Sequence, residues 1–166
     1  MGETSIRLRD ATTADARLLW LWRNHPSTRR WSFNKAEIAW EGHCQWLAAR
    51  LSDERCLMYI AEVADHGVVG QARFSVSGEE AEIHVTVAPE HRGRGMGTAL
   101  ISASCRRLFS EQPGVRRILA RALPGNVASI RAFQKAGFTP VGGRRSDTPE
   151  AICLVLPRGG GSQTGE

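Results

Sequence analysis

Between Ala81 and Phe109 the chain reads AEIHVTVAPEHRGRGMGTALISASCRRLF. An alternating apolar strand ends at Pro89, a short basic glycine turn follows, and a helix-period run begins. This strand–turn–helix unit is the strongest constraint on the fold. The turn, Arg92-Gly93-Arg94-Gly95-Met96-Gly97, has the spacing Arg-x-x-Gly-x-Gly. Glycines let the main chain take positive φ and approach a ligand closely. Successive N–H groups at the mouth of a helix form a hollow for an anion, and the helix dipole adds to the attraction. Arg92 and Arg94 supply charge suited to phosphate oxygens. A pyrophosphate is the expected guest.

Two common phosphate motifs are excluded. No lysine follows the glycines, as a nucleotide triphosphatase loop requires, and there is no N-terminal Gly-x-Gly-x-x-Gly with an acidic residue about 20 positions on. The turn sits in mid-chain, after several expected strands.

The Arg-x-x-Gly-x-Gly turn and the Val-x-Val-x-Pro before it (Val85 to Pro89) resemble the acetyl-CoA motif of the GNAT superfamily of N-acetyltransferases. Asn126 to Phe138 (NVASIRAFQKAGF) is similar to that family's Asn-x-x-(Ala/Ser)-x-x-x-aromatic-x-x-x-Gly-Phe stretch. The resemblance covers roughly residues 5–156. It implies an α/β fold: an open, mixed, mostly antiparallel sheet of about six or seven strands, splayed between strands 4 and 5, with helices on both faces. It implies acetyl-CoA as the donor. The pyrophosphate would lie on residues 92–98 (Arg92, Gly93, Arg94, Gly95, Met96, Gly97, Thr98). The pantetheine arm would lie along Val85, Thr86 and Val87, with Asn126, Ser129 and Phe133 beside it.

The 166 residues fit one domain, expected over 1–157, with 158–166 (RGGGSQTGE) as a disordered polar tail. A hydrophobic share of 42% and a charged share of 23% are ordinary for a globular protein. No apolar run approaches the roughly 20 residues of a membrane span. The first ten residues lack a leader pattern, so a cytoplasmic location and no membrane partner are expected. Cys44, Cys56, Cys105 and Cys153 are widely spaced and read as reduced core thiols, with no metal site. The net charge of +5 rests on arginine, since Lys35 and Lys135 are the only lysines. The arginine pairs are dispersed and lack interleaved aromatics, which argues against a nucleic-acid partner.

Ser5–Arg9 reads as an opening edge strand, and Thr13–Asn24 as a helix with Ala14, Leu18, Leu19, Leu21 and Trp22 on its apolar face. His25–Asn34 is a connector, and Lys35–Leu51 a second helix burying Ile38, Trp46, Leu47 and Leu51. Cys56–Ala64 and Val68–Val76 form a hairpin about Asp65-His66-Gly67. In the second strand Gln71, Arg73 and Ser75 share a face. Glu80–Ala88 is strand four. A helix from Gly95 to Phe109 presents Met96, Leu100, Ile101 and Leu108 inward. Val115–Ala122 is a strand. Asn126 caps a helix with Val127, Ile130 and Phe133 inward, and Gly137 ends it. Strands at Phe138–Val141 and Ala151–Leu156 flank a loop over 142–150.

The implied chemistry is direct transfer of acetyl from the thioester to a primary amine, which needs a proton acceptor and can use a donor. Glu82 and His84 are the candidate acceptors, two residues apart on one face of strand four. The family's usual donor is a tyrosine, but its position holds Phe133, and the single tyrosine, Tyr59, lies elsewhere. Either Ser129 or water protonates the thiolate, or no general acid is used. For the acceptor, Trp20 to Pro26, Arg29, Trp31-Ser-Phe33, Trp40-x-x-His43-x-x-Trp46 and Val69 to Phe74 resemble the GNAT subgroup acting on nucleotide-linked amino sugars. Arg23, Asn24, Arg30, Trp31, Phe33 and Arg73 are the corresponding contacts. The partner is thus a small-molecule amine, and the chain a monomer or homodimer. The alternatives are acetylation of a protein N-terminus or an antibiotic amine, and, from another class, a non-catalytic acetyl-CoA sensor.

Overall fold

A computed structural model describes residues 4–142 and 150–159. Seven strands form one sheet in the order β1-β2-β3-β4-β5-β7-β6. β1 (Arg7–Asp10), β2 (Cys56–Val63), β3 (Gly67–Ser77) and β4 (Glu80–Val87) form an antiparallel meander. β5 (Arg117–Ala122) joins β4 in parallel, and β7 (Ile152–Pro157) lies antiparallel between β5 and the short β6 (Thr139–Pro140). The mixed, mostly antiparallel sheet expected from the sequence is present.

Alternation along the strands separates two cores. Tyr59, Ala72, Phe74, Ala81, Ile83, Ile118 and Ala120 face α4 (Met96–Glu111), whose Met96, Leu100, Ile101, Cys105 and Leu108 are buried against them. Met58 and Ile60 face the other way, toward Leu19 and Trp22 of α1 (Ala16–Asn24) and Leu47 of α3 (Trp40–Ser52). Helices therefore cover both faces. α4 runs two residues past Phe109, where Glu111 accepts hydrogen bonds from Tyr59 Oη (2.6 Å) and Arg107 Nε (2.7 Å).

Several element boundaries differ from expectation for tertiary reasons. The first strand is shifted to Arg7–Asp10. The first helix begins as a 3-10 turn, Thr13–Asp15, capped reciprocally by Thr12 and Asp15. Pro26 does not merely end α1; it opens α2 (Pro26–Arg29) at its first position, with His25 Nδ1 accepting from Ser27 N–H. Residues 35–39 stay out of α3. Their main chain is held instead by Asn24, which bonds both Ile38 N (2.8 Å) and Ile38 O (2.8 Å), and by Trp20 Nε1 on Ile38 O (2.7 Å).

Some inward positions turn out. Leu21 and Val127 are half exposed, and Trp46 is 37% exposed. The four thiols are free, as expected, but only Cys105 is fully buried. Burial pushes the Cys105 thiol up to about 12, which makes it inert at neutral pH. Arg158, placed by sequence in the disordered tail, is instead anchored: its guanidinium donates to Val115 O (2.8 Å), Phe109 O (3.1 Å) and Gln112 O (2.7 Å). The remainder of that tail, 160–166, and positions 143–149 of the expected loop lie outside the described residues.

Candidate donor and acceptor site

The splay is visible in the register. β4 and β5 pair from Glu80↔Arg117 to Ile83↔Ala120, and no further. Glu79 O, on the β5 side, accepts from Arg116 N, while Ala88 N donates to Val69 O on the β3 side. Alternation between those two fixed points turns the main-chain N–H and C=O of Val85 and Val87 into the gap that β5 has left. It turns those of Thr86 toward β3, so Thr86 can meet a ligand in the gap only otherwise. An extended ligand can add to this edge as a strand would.

At the end of that edge lies the glycine turn. Gly93 (φ 77°) and Gly95 (φ 74°) are left-handed, and a Cβ on either would meet nothing within 4 Å. The main chain there borders open space, and Gly95, the N-cap of α4, has no side-chain oxygen to offer the helix N–H groups. An anion fits that role. Gly97 does another job: a Cβ there would lie 3.7 Å from Ala132 Cβ and Val87 Cγ2, so it sits against the neighbouring side chains. Arg94 is exposed at the turn. These residues fit coenzyme A: amides of 93–97 for the pyrophosphate, and the Val85 main chain with the Val87 N–H for the arm.

Arg92 does not fit the part expected of it. Its side chain turns away from the hollow. Nε donates to Val87 O (3.1 Å), Nη1 to Ser27 Oγ (2.5 Å) and Nη2 to Thr28 Oγ1 (2.6 Å). Phe133 is also displaced from the expected set. Its ring is 4% exposed and packs edge-on against Phe138 at 5.1 Å, a core position without surface for a ligand. Asn126 caps α5 (Val127–Lys135), its Oδ1 accepting from Ser129 N at 3.3 Å. That places Ser129 on the first turn, beside the gap-side turn after β5.

The sheet face away from α4 carries the charged groups. Glu82, His84 and Thr86 share it, as expected from period two. Glu82 Oε1 lies 3.5 Å from His84 Nε2 and is held by Arg121 of β5 (Nε 2.7 Å, Nη2 2.6 Å). Burial, then Arg73, Arg121 and Arg50, hold the His84 imidazole down at about 3, so it is neutral at any working pH. Arg73, opposite His84 in the register, has its guanidinium 5.3 Å from the Trp46 ring and no hydrogen bond or ion pair among the described residues. Burial disfavours its charge, and Arg50 adds to this. Gln71 Nε2 meets Thr86 Oγ1 at 3.3 Å, while Gln71 Oε1 is buried without a partner among the described residues.

Of the acceptor contacts expected from sequence, Phe33 and Trp31 reach this region. Phe33 lies 5.7 Å from the Arg121 guanidinium, and Trp31 lies 3.1 Å from a Cβ built on Gly125, in the turn before α5. Arg30 stacks on Trp31 at 5.0 Å. Asn24 is corrected: both ends of its amide are spent on Ile38, so it shapes the wall rather than contacting a ligand. Arg23 holds Asn34 O with Nη2, and its Nη1 is buried without a partner among the described residues. Arg121 and Trp46 are the members that sequence reading missed. The parallel register that puts Arg121 beside Glu82 has no local signature.

Residues 5–139 match the model of the acetyltransferase (GNAT) domain. An N-acetyltransferase of Streptomyces griseus is 32% identical over 121 residues, 67% of this chain and 61% of its own. The solved aminoglycoside acetyltransferase AAC(6')-Ib in complex with coenzyme A superposes with TM-score 0.79 at 27% identity, over 94% of this chain and 96% of that one. A spermidine N-acetyltransferase from Vibrio cholerae, with CoA and spermine, shares the fold at TM-score 0.83 and 16% identity, over 95% and 98%. The chain spans less than two thirds of the length of the curated relatives it matches, 61% of the Streptomyces protein among them. With the splayed β4 edge, the left-handed glycines and this domain match together, the chain belongs to the GNAT acetyltransferase family.

Proposed function

We propose that this chain moves acetyl from acetyl-CoA directly onto a primary amine carried by an anionic molecule, a nucleotide-linked amino sugar. The observation that carries the acceptor's charge is Arg73. Among the described residues its guanidinium stands without an ion pair on the face shared with His84, beside Trp46, while the nearby Glu82 is already engaged by Arg121. A phosphate or carboxylate would satisfy it, and aromatic faces at Trp46, Phe33 and Trp31 suit a base or sugar. A polycation would meet repulsion there.

The same positive field helps the chemistry. An amine must be neutral to attack, and the burial and neighbouring arginines that keep His84 unprotonated also favour the neutral form of an amine beside it. His84 so depressed is too weak a base for the sequence-based role; Glu82, 3.5 Å away, is the proton acceptor, through water. Acetyl-CoA supplies the thioester carbonyl: the C–N bond forms as the C–S bond breaks. The main chain of Val85 and Val87 aligns the arm, the amides of 93–97 hold the diphosphate, and Ser129 or water protonates the departing sulfur.

A second reading, an aminoglycoside acceptor, is favoured by the 27% identity to AAC(6')-Ib over nearly the whole chain. The test is CoA release with UDP-linked amino sugars, kanamycin, spermidine and an N-terminal peptide. Turnover is expected with the nucleotide sugar, and Arg73→Gln should raise its KM about 10-fold or more while leaving the acetyl-CoA KM unchanged. Faster turnover of kanamycin or spermidine, improved by Arg73→Gln, overturns the anionic acceptor. Thermal stabilisation by acetyl-CoA without any turnover points to the sensor.

A further inference from the structure

We infer that Arg92 is a clasp between the donor loop and the acceptor wall, not a phosphate ligand. The inference rests on the reading that CoA occupies the 93–97 turn.

One guanidinium joins three pieces of chain. It springs from the residue that opens the glycine turn. Its Nε holds the Val87 carbonyl, the last main-chain acceptor on the gap side of β4 (3.1 Å). Nη1 and Nη2 hold the hydroxyls of Ser27 and Thr28 in α2, more than sixty residues away in sequence (2.5 and 2.6 Å). The fork is half buried, and a planar guanidinium is the group whose rigid donors can serve three acceptors in one plane. Ser27 is itself fixed, its Oγ 2.7 Å from His25 Nδ1.

α2 has only four residues, too few to hold a position by itself, and it contributes no fully buried residue. What it leads into is the wall of the acceptor face: Arg30, Trp31 and Phe33. That wall is tied at its far end to Asn24 and Trp20 through Ile38. Arg92 ties its near end. A ligand that orders the turn and the Val87 edge therefore orders the wall through Arg92. The donor completes the acceptor site, and Arg92 is a positioning residue that couples the two.

The experiment needs no acceptor. Amide hydrogen exchange over residues 26–38 is followed with and without CoA, and CoA affinity is measured by calorimetry. In the wild-type chain, CoA should slow exchange over 26–38 by about 5-fold or more. The double variant Ser27→Ala/Thr28→Val should abolish that protection while CoA affinity stays within about 2-fold, because no phosphate contact is lost. Arg92→Lys, which keeps the charge but not the fork, should do the same. Should the double variant not fold, Thr28→Val alone removes one of the two ties and should reduce the protection. Protection of 26–38 that survives in these variants overturns the clasp, as does CoA binding to the wild-type chain with no protection there. A loss of CoA affinity of about 10-fold or more in Arg92→Lys, with the double variant unaffected, returns Arg92 to the phosphate. Failure of the wild-type chain to bind CoA at all overturns the donor-site reading and the clasp with it.

Discussion

Arg121 on β5 grips the Glu82 carboxylate on β4, with Nε and Nη2 reaching the same oxygen at 2.7 and 2.6 Å. The pair runs from the paired part of β4 to the first β5 residue beyond the last pair, Ile83↔Ala120, so it closes the base of the gap. Both side chains are a little over a quarter exposed, between the surface and buried limits for ion pairs. Glu82→Gln should cost about 1–2 kcal/mol of stability. That corresponds to a Tm lower by roughly 2–8 °C for a chain of this size. It should also lower kcat on the acid side, where amine deprotonation limits. Wild-type Tm and wild-type kcat at every pH would show that neither role exists.

His84 gives a pH prediction with a definite sign. Its imidazole titrates near its ordinary value in the unfolded chain but near 3 in the fold, because burial and Arg73, Arg121 and Arg50 oppose the charge. Between those values the unfolded state binds more protons, so stability falls as pH drops from about 6.5 toward 3. Buried His43 is shifted in the same direction by desolvation, so its contribution adds. His84→Gln should flatten this part of the stability curve, measured by urea unfolding across pH. A curve unchanged in shape would place the charge-opposing environment elsewhere.

The turn glycines should separate. Gly95 has φ 74°, so Gly95→Ala strains the main chain by about 1–2 kcal/mol and displaces the amides it presents. Gly95→Asp adds negative charge against the expected diphosphate. Acetyl-CoA affinity should fall about 10-fold in the first and further in the second. Gly97 lies within α4, and a Cβ there makes ordinary contacts at 3.7 Å. Gly97→Ala should bind acetyl-CoA within about 2-fold of wild type. Equal effects at both positions would mean that packing, not amide presentation, sets the requirement.

Tyr59 tests the missing proton donor. Its hydroxyl donates to Glu111 Oε2, and the Arg107 guanidinium stacks 4.4 Å from its ring. Burial and Glu111 hold its pKa well above the usual range. It sits under the C-terminal end of α4, on the opposite face from Glu82 and His84. Tyr59→Phe should lower stability by about 1–2 kcal/mol and leave kcat/KM unchanged. A drop in kcat/KM at unchanged Tm would require a route from this hydroxyl to the thioester.

The glycine turn was legible in sequence because its chemistry is local. Six consecutive residues carry the positive φ, the bare amides and the helix start. The shared face of Glu82 and His84 was legible for the same reason, since strand alternation needs no partner. Residues 35–39 were not legible. Their composition suits a helix, but Asn24 and Trp20 claim the Ile38 main chain from eighteen and fewer residues away. Trp46 was misjudged because a hydrophobic residue at helical spacing says nothing about whether a guanidinium will lie on it.

By itself, then, the order of residues determined the strand–turn–helix unit, the sheet-forming segments and the left-handed glycine turn at the mouth of α4, all of which depend on neighbours within a few positions. Only the tertiary structure decided what the arginines do. It sent Arg92 to α2, set Arg121 on Glu82, left Arg73 without an ion pair among the described residues and tied Arg158 to carbonyls at the C-terminal end of α4. A long flexible cation finds its partner by spatial proximity, and proximity across a sheet is settled by register and packing, not by spacing along the chain.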